Sequence, residues 1–184
     1  MRILKGRWAG TDLVSPAARV RPTAEKLRDR WLDVLEPHLE GARVVDLFAG
    51  SGALGLEALS RGAASADFVE NAPAALHALK ANVAKLGLKG PSAPRVRVFK
   101  RDAILFVDAL GEGAYDIAFA DPPYLSGKLD RVLAAWRATR FAAVLGVEHA
   151  ADHELPVGGR LIQVGDGTVT LFGLSDRGHQ ERRR

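Results

Sequence analysis

From residue 43 onward, short apolar runs take turns with stretches of helical spacing. Arg43–Phe48, Ala66–Glu70, Val96–Lys100, Tyr115–Ala120 and Ala142–Glu148 are β-rich runs of strand length. Between them the pattern predicts helices over Ala53–Arg61, stopped by Gly62, Pro73–Leu86, stopped by Gly87, Ala103–Leu110 and Leu129–Ala138. Two last strands, Gly159–Val164 and Thr168–Leu174, flank Gly165-Asp166-Gly167, a hairpin signal. This alternation specifies an α/β domain with a mostly parallel sheet, and the closing hairpin makes the final strand antiparallel. Upstream the pattern changes. Residues 2–14 read as two short strands about a turn at Arg7-Trp8-Ala9-Gly10, followed by a loop from Ser15 to Pro22. Pro22-Thr23 then opens a helix, with Thr23 placed to cap it, Leu27, Trp31, Val34 and Leu35 at helical spacing, and Pro37 expected to end it. The expected organisation is an N-terminal hairpin-and-helix extension over 1–40, an α/β domain over 41–176 and a basic, disordered tail over 177–184.

Length and composition narrow the class. A chain of 184 residues, 47% hydrophobic, has the size and apolar content of one packed domain. Cysteine is absent, which excludes disulfides, thiolate metal sites and cysteine nucleophiles and agrees with a reducing, cytoplasmic setting. No apolar run approaches the roughly 20 residues of a membrane span, and Met1–Arg7 has no apolar stretch behind its charges to act as a secretory signal. His149 and His153 are four apart, but Glu148 precedes the pair instead of lying inside it. They read as loop histidines, and no metal is expected.

Charge changes the picture more. The net +4 is unevenly spread: residues 1–30 carry eight basic against three acidic residues, and 177–184 carry four against one. The 146 residues between are left with a net −4. The basic start makes Arg2, Lys5, Arg7, Arg21 and Arg28 candidate phosphate contacts to a nucleic acid, with Thr23 beside Arg21 as a further candidate, set against the reading of each as an ordinary solvated side chain. Trp8 is placed either to stack on a base or to pack the hairpin on the domain.

The acidic body holds the chemistry. Asp46-Leu47-Phe48-Ala49-Gly50-Ser51-Gly52-Ala53-Leu54-Gly55 puts a Gly-x-Gly-x-x-Gly loop between a strand and a helix, and Glu70 ends the next strand twenty residues after Gly50. Glycines let a ligand approach the backbone, the helix start offers free N–H groups, and a carboxylate at the second strand's end suits ribose hydroxyls. Both NAD and S-adenosylmethionine can use those parts. Two features separate them. Asp46, inside the strand, would repel a pyrophosphate and hold the ammonium of a methionine moiety. Asp121-Pro122-Pro123-Tyr124 ends the fourth strand, at the sheet edge where ligands of open parallel sheets bind.

That tetrapeptide suits methyl transfer to an exocyclic amine of a nucleobase. Such a nitrogen is a poor nucleophile until acceptors hold its N–H bonds and let it become more tetrahedral. Asp121 and the Pro122 carbonyl can accept, Pro122 and Pro123 stiffen the turn, and Tyr124 offers a face for stacking. Asp121 is either a base or only an acceptor. Asp102, opening the helix after the third strand, is placed to meet an adenine amine, to cap that helix, or both.

These residues resemble the RsmD-type methyltransferases, which use S-adenosylmethionine to methylate N2 of a guanine in bacterial 16S rRNA. The likeness runs from Met1–Gly10 through Arg21-Pro22-Thr23 and Leu27-Arg28-Asp29 to the long stretch Asp46–Ala63, then Phe68-Val69-Glu70, Asp102-Ala103 and Asp121–Tyr124. The resemblance implies a Rossmann-like class I methyltransferase of seven strands. It implies Asp46, Phe48, Ala49, Gly50, Ser51, Gly52, Glu70, Asn71, Asp102 and Ala103 around the cofactor, and Asp121 to Tyr124 at the target base. The implied partner is 16S rRNA in the small ribosomal subunit; the chain itself is expected to be a monomer. Two departures fall in the region assigned to RNA: Thr11-Asp12 follows Gly10 where the family has Arg, and Asp29 stands where it has Glu. The rival readings are the same chemistry on DNA or another RNA, and a nucleic-acid-binding protein that keeps the fold without catalysis.

Overall fold

The computed structural model describes residues 1–16, 22–88, 93–124 and 126–174. After α1 (Pro22–Leu39), the chain runs β1 (Arg43–Asp46), α2 (Ala53–Ser60), β2 (Ser65–Glu70), α3 (Pro73–Lys85), β3 (Arg95–Lys100), α4 (Ala103–Val107), β4 (Tyr115–Ala120), α5 (Lys128–Thr139), β5 (Ala142–His149), β6 (Arg160–Val164) and β7 (Gly167–Phe172). The seven strands form one sheet in the order β3-β2-β1-β4-β5-β7-β6. All neighbours up to β5 pair in parallel, and β7 inserts antiparallel between β5 and β6. The expected α/β sheet with its antiparallel last strand is the one observed, and its order reverses beside β1. That reversal opens a crevice at the C-terminal ends of β1 and β4.

Alternation along the central strands builds two cores. Val44, Phe68, Ile117 and Phe119 face one side, with α1, α2 and α3 packed over them. Val45, Val69, Ala118 and Ala120 face the other, under α4 and α5. Buried on both faces, these strands carry apolar residues at successive positions, which is why they show as runs in the sequence.

Three local expectations are corrected. Pro37 does not end α1, which continues to Leu39. In the last turn a proline forfeits a single backbone bond, and Leu35 and Leu39 are fully buried on either side of it. Thr23 is not the cap, since the helix begins at Pro22, whose missing N–H would have been unpaired there anyway. Residues 2–14 do not form two strands. They make a tight arm with one antiparallel bridge, Arg2 to Asp12. Ile3 and Leu13 N–H close the arm on the Thr11 and Met1 carbonyls, and the backbone between is drawn to α2: Leu4 and Lys5 N–H donate to Glu57, and Arg7 and Trp8 N–H donate to the Ser60 carbonyl and hydroxyl. Gly6 makes this possible. At φ +81°, a Cβ there would sit 1.9 Å from the Ser60 carbonyl oxygen.

Candidate active site

β1 delivers Asp46 to the crevice, and the chain then turns sharply through Ala49–Gly52 into α2. Gly50 and Gly52 take φ of 54° and 82°, a region that disfavours side chains. A Cβ on Gly52 would also strike Leu79 at 2.4 Å, so the loop lies tight against the first core. Two carboxylates hold it from below. Asp46 Oδ2 accepts the Gly55 N–H at 3.1 Å, and Glu70 Oε2 accepts the Gly50 N–H at 2.8 Å. Glu70 Oε1 accepts from the backbone of Asn71 and Ala72 as well, both at 2.8 Å. Expected as ligand contacts, Asp46 and Glu70 are therefore also the braces of the glycine loop. Asn82, fully buried on α3, adds a third: its amide donates to the Ser51 carbonyl and to the Val14 carbonyl, tying loop and arm together.

Above the loop lies a cleft of about 220 Å³ whose walls include Asp46, Phe48, Gly50, Ser51, Asp121 and Glu148. Asp46 is 3% exposed, and burial, reinforced by the nearby charges of Asp121 and Glu70, pushes its carboxyl up to about 7 against the pull of the Gly55 N–H. Asp121 opens into the cleft, yet the surrounding walls strip enough solvent to raise it to about 6. The cleft gathers acidic groups that resist ionising without a cation beside them. Beyond Phe48 a smaller recess, lined by Glu70, Asn71, Arg101, Ala103 and Lys128, holds about 20 Å³, room for about one water molecule. Asp102 caps α4, accepting from Ile104 N–H at 2.8 Å, and pairs with Lys128 Nζ at 2.9 Å, which holds its carboxyl below the usual range. The capping reading of Asp102 is the one the geometry displays.

The Asp121–Tyr124 turn follows β4. Pro122 is buried, and the Pro123 carbonyl is taken by the Ser126 hydroxyl at 2.6 Å, so that carbonyl does not serve the cleft. Tyr124 is 53% exposed and its hydroxyl donates to Glu148 Oε1 at 3.4 Å. Sequence reasoning missed Glu148, Trp31 and Lys128 at the site. Glu148 had a signal: it nears the end of an apolar run adjacent to β4, at the ligand-binding edge. Trp31 looked like core, and Lys128 like an ordinary helix start.

The wider likeness of this chain fits that geometry. A family model described as Conserved hypothetical protein 95 matches residues 1–166. Ribosomal RNA small subunit methyltransferase D of Escherichia coli (strain K12) is 36% identical over 162 residues, 85% of this chain and 78% of its own. YlbH of Bacillus subtilis (strain 168) is 32% identical over 182 residues, 95% and 97% of the two chains. The chain belongs to the RsmD family of methyltransferases. Among solved structures, yhhF of Escherichia coli superposes with a TM-score of 0.78 at 32% identity, covering 93% of this chain and 96% of its own. A protein of Thermus thermophilus gives 0.76 at 30% identity, with 95% and 99% covered. The fold is thus the Rossmann-like methyltransferase fold, and the protein is an enzyme.

For this RsmD-family enzyme, the expected RNA contacts divide. Arg2 and Arg7 are exposed, Arg7 lying 5.2 Å over the Trp8 ring, while Trp8 itself packs on the first core. Lys5 spends its charge on Asp33 and Asp29 at 2.6 and 3.1 Å. Arg28 is 8% exposed, donates to the Arg2 carbonyl at 2.6 Å and lies 3.8 Å from Glu57, so it fastens the arm, while also lining the cleft. Thr23 is half-buried against the β6–β7 turn, its methyl 3.0 Å from where a Gly165 Cβ would be. Arg21 and the 177–184 tail lie outside the described residues. His149 and His153 serve separate partners, Thr170 at 2.9 Å and Asp130 at 3.0 Å. No helix among the described residues is long and apolar enough to cross a membrane.

Proposed function

We propose that the protein transfers a methyl group from S-adenosylmethionine to the exocyclic N2 amine of a guanine in 16S rRNA of the small ribosomal subunit. The observation that carries this reading is the meeting of Asp46 and Asp121 in one acidic cleft beside a glycine loop, with Tyr124 at its rim. The name of the Escherichia coli relative supplies the RNA. S-adenosylmethionine brings an activated methyl group on a positively charged sulfur. The donor set fits it: two carboxyls raised by burial gain from a neighbouring ammonium or sulfonium, and an NAD pyrophosphate placed against Asp46 and Asp121 would be repelled.

The chain's own groups then divide the work. Asp46 would hold the methionine ammonium, and Gly50, Ser51 and Gly52 would let that end of the cofactor lie against the backbone. Glu70 would face the ribose while still bracing the loop. Adenine would enter between Phe48 and Ala103, with Asn71 beside it, after Lys128 leaves Asp102. Tyr124 stacks the target base. Asp121 and the Pro122 carbonyl accept the two N–H bonds of the amine, which orients its lone pair and stabilises the positive charge that grows on nitrogen. The proton leaves through Asp121 or directly to solvent. The extension over residues 1–40 would grip RNA through Arg2 and Arg7.

The test is mass-spectrometric mapping of ribosomal RNA nucleosides in a deletion strain. We expect one N2-methylguanosine to vanish, to return with the wild-type gene, and to stay absent with Asp121→Ala although that variant still binds S-adenosylmethionine by calorimetry. Methylation confined to duplex DNA, or no S-adenosylmethionine binding by the wild type, would overturn the reading.

A further inference from the structure

Glu148 stands where Asp121 and Pro122 leave a choice unmade. Those two handle an amine, but adenine, cytosine and guanine all carry one. β4 and β5 run in parallel with Ala120 opposite Val147, so Asp121 and Glu148 occupy the next positions on neighbouring strands. Both line the same cleft. Glu148 also lines the adjoining recess of about 330 Å³ with Pro122, Pro123 and Tyr124, so it forms the wall between the two spaces. The Tyr124 hydroxyl at 3.4 Å fixes the carboxylate relative to the stacking face.

We infer that Glu148 selects the base, by accepting the N1–H of a guanine whose N2 amine is held at Asp121. The inference rests on the methyl-transfer reading of this cleft. Its chemistry is a matter of donors. An ionised carboxylate can only accept. On guanine, the ring position next to the reacting amine on the pairing edge is N1–H, a donor. On adenine the neighbour of the N6 amine is N1, and on cytosine the neighbour of the N4 amine is N3; each presents a lone pair. A carboxylate beside Asp121 therefore adds a hydrogen bond for guanine and a repulsion for the other two. Discrimination built this way combines an attraction with a clash.

The experiment uses small ribosomal subunits reconstituted with either guanosine or 2-aminopurine riboside at the nucleotide the wild type methylates. 2-Aminopurine keeps the 2-amine and replaces N1–H with a bare N1. The wild type should prefer guanosine by about 10- to 100-fold in kcat/KM, the range of a well-placed base contact. Glu148→Gln should narrow that preference to within about threefold, because its amide can donate to the bare N1. Glu148→Asp should slow transfer yet keep the preference, which separates removal of the carboxylate from a disturbed fold. Affinity for S-adenosylmethionine should stay within about threefold in each variant. A wild type indifferent to 2-aminopurine, or a Glu148→Gln enzyme with the wild-type preference, overturns the assignment of Glu148 while N2-methylguanosine formation leaves the function standing. Methyl groups found on adenine or cytosine would overturn both.

Discussion

Asp46 shows how one side chain carries both fold and chemistry. Its carboxyl braces the glycine loop through Gly55, and burial lifts it to about 7, far above the 3.8 of a free aspartate. The folded protein therefore holds a proton that the unfolded chain has released. Stability from this group is present in full below about 4 and is lost as pH rises to about 7. Asp46→Asn should flatten that part of the curve of unfolding free energy against pH. A cationic ligand reverses the balance, because binding favours the ionised form. We expect S-adenosylmethionine affinity to rise from pH 6 to 7.5 with release of up to one proton, read by calorimetry in buffers of different ionisation enthalpy. Proton uptake on binding would contradict this role for Asp46.

Between elements, the decisive unit is the fastening of the arm, α1 and α2. Arg61, whose side chain has no exposure, donates to Asp29 at 2.7 Å and Asp33 at 2.8 Å on α1, and to Glu57 at 3.2 Å on its own helix. Glu57, equally buried, accepts from the arm and lies beside Arg28. Removing the cation leaves the buried Glu57 carboxylate with only the arm's N–H groups and the more distant Arg28, a loss bounded by the cost of a fully broken buried pair, about 3–5 kcal/mol. Arg61→Leu should lower the urea midpoint accordingly and speed amide exchange at Leu4 and Lys5; an unchanged midpoint would show the network to be idle. This unit also marks where the sequence became hard to read. The strands and helices after residue 43 announced themselves because burial on two faces leaves an apolar run, and periodicity records burial. The partner of a charge has no such record. Arg28 reads as a surface base in any window of its neighbours, since Glu57 and Arg2 come to it only through the fold. Asp121 and Glu70 were legible because strand ends are topologically marked; Lys128 was not, because its pairing with Asp102 crosses from α5 to α4.

Across the whole molecule, charge is sorted by task. The residues between 31 and 176 carry the net −4; of their carboxylates, Asp46 and Asp121 line the cleft and Glu70 the adjoining recess, where the proposed function would hold a cationic cofactor and an amine. The first 30 residues carry five net positive charges, but the fold commits Lys5 and Arg28 internally. Among the described residues of that stretch, Arg2, Arg7, Lys26 and Arg30 are exposed and can displace counterions from RNA. Each phosphate that the protein ceases to neutralise should reduce the steepness of log K against log salt by about 0.7–0.9. Binding of Arg2→Ala/Arg7→Ala to small ribosomal subunits should therefore show a slope shallower by about 1–2 than wild type, with an unchanged melting temperature. Arg28→Ala should do the opposite, lowering the melting temperature and leaving the slope alone. If the double variant keeps the wild-type slope, the arm does not grip phosphate, and its charges serve only to hold α1 and α2 in place.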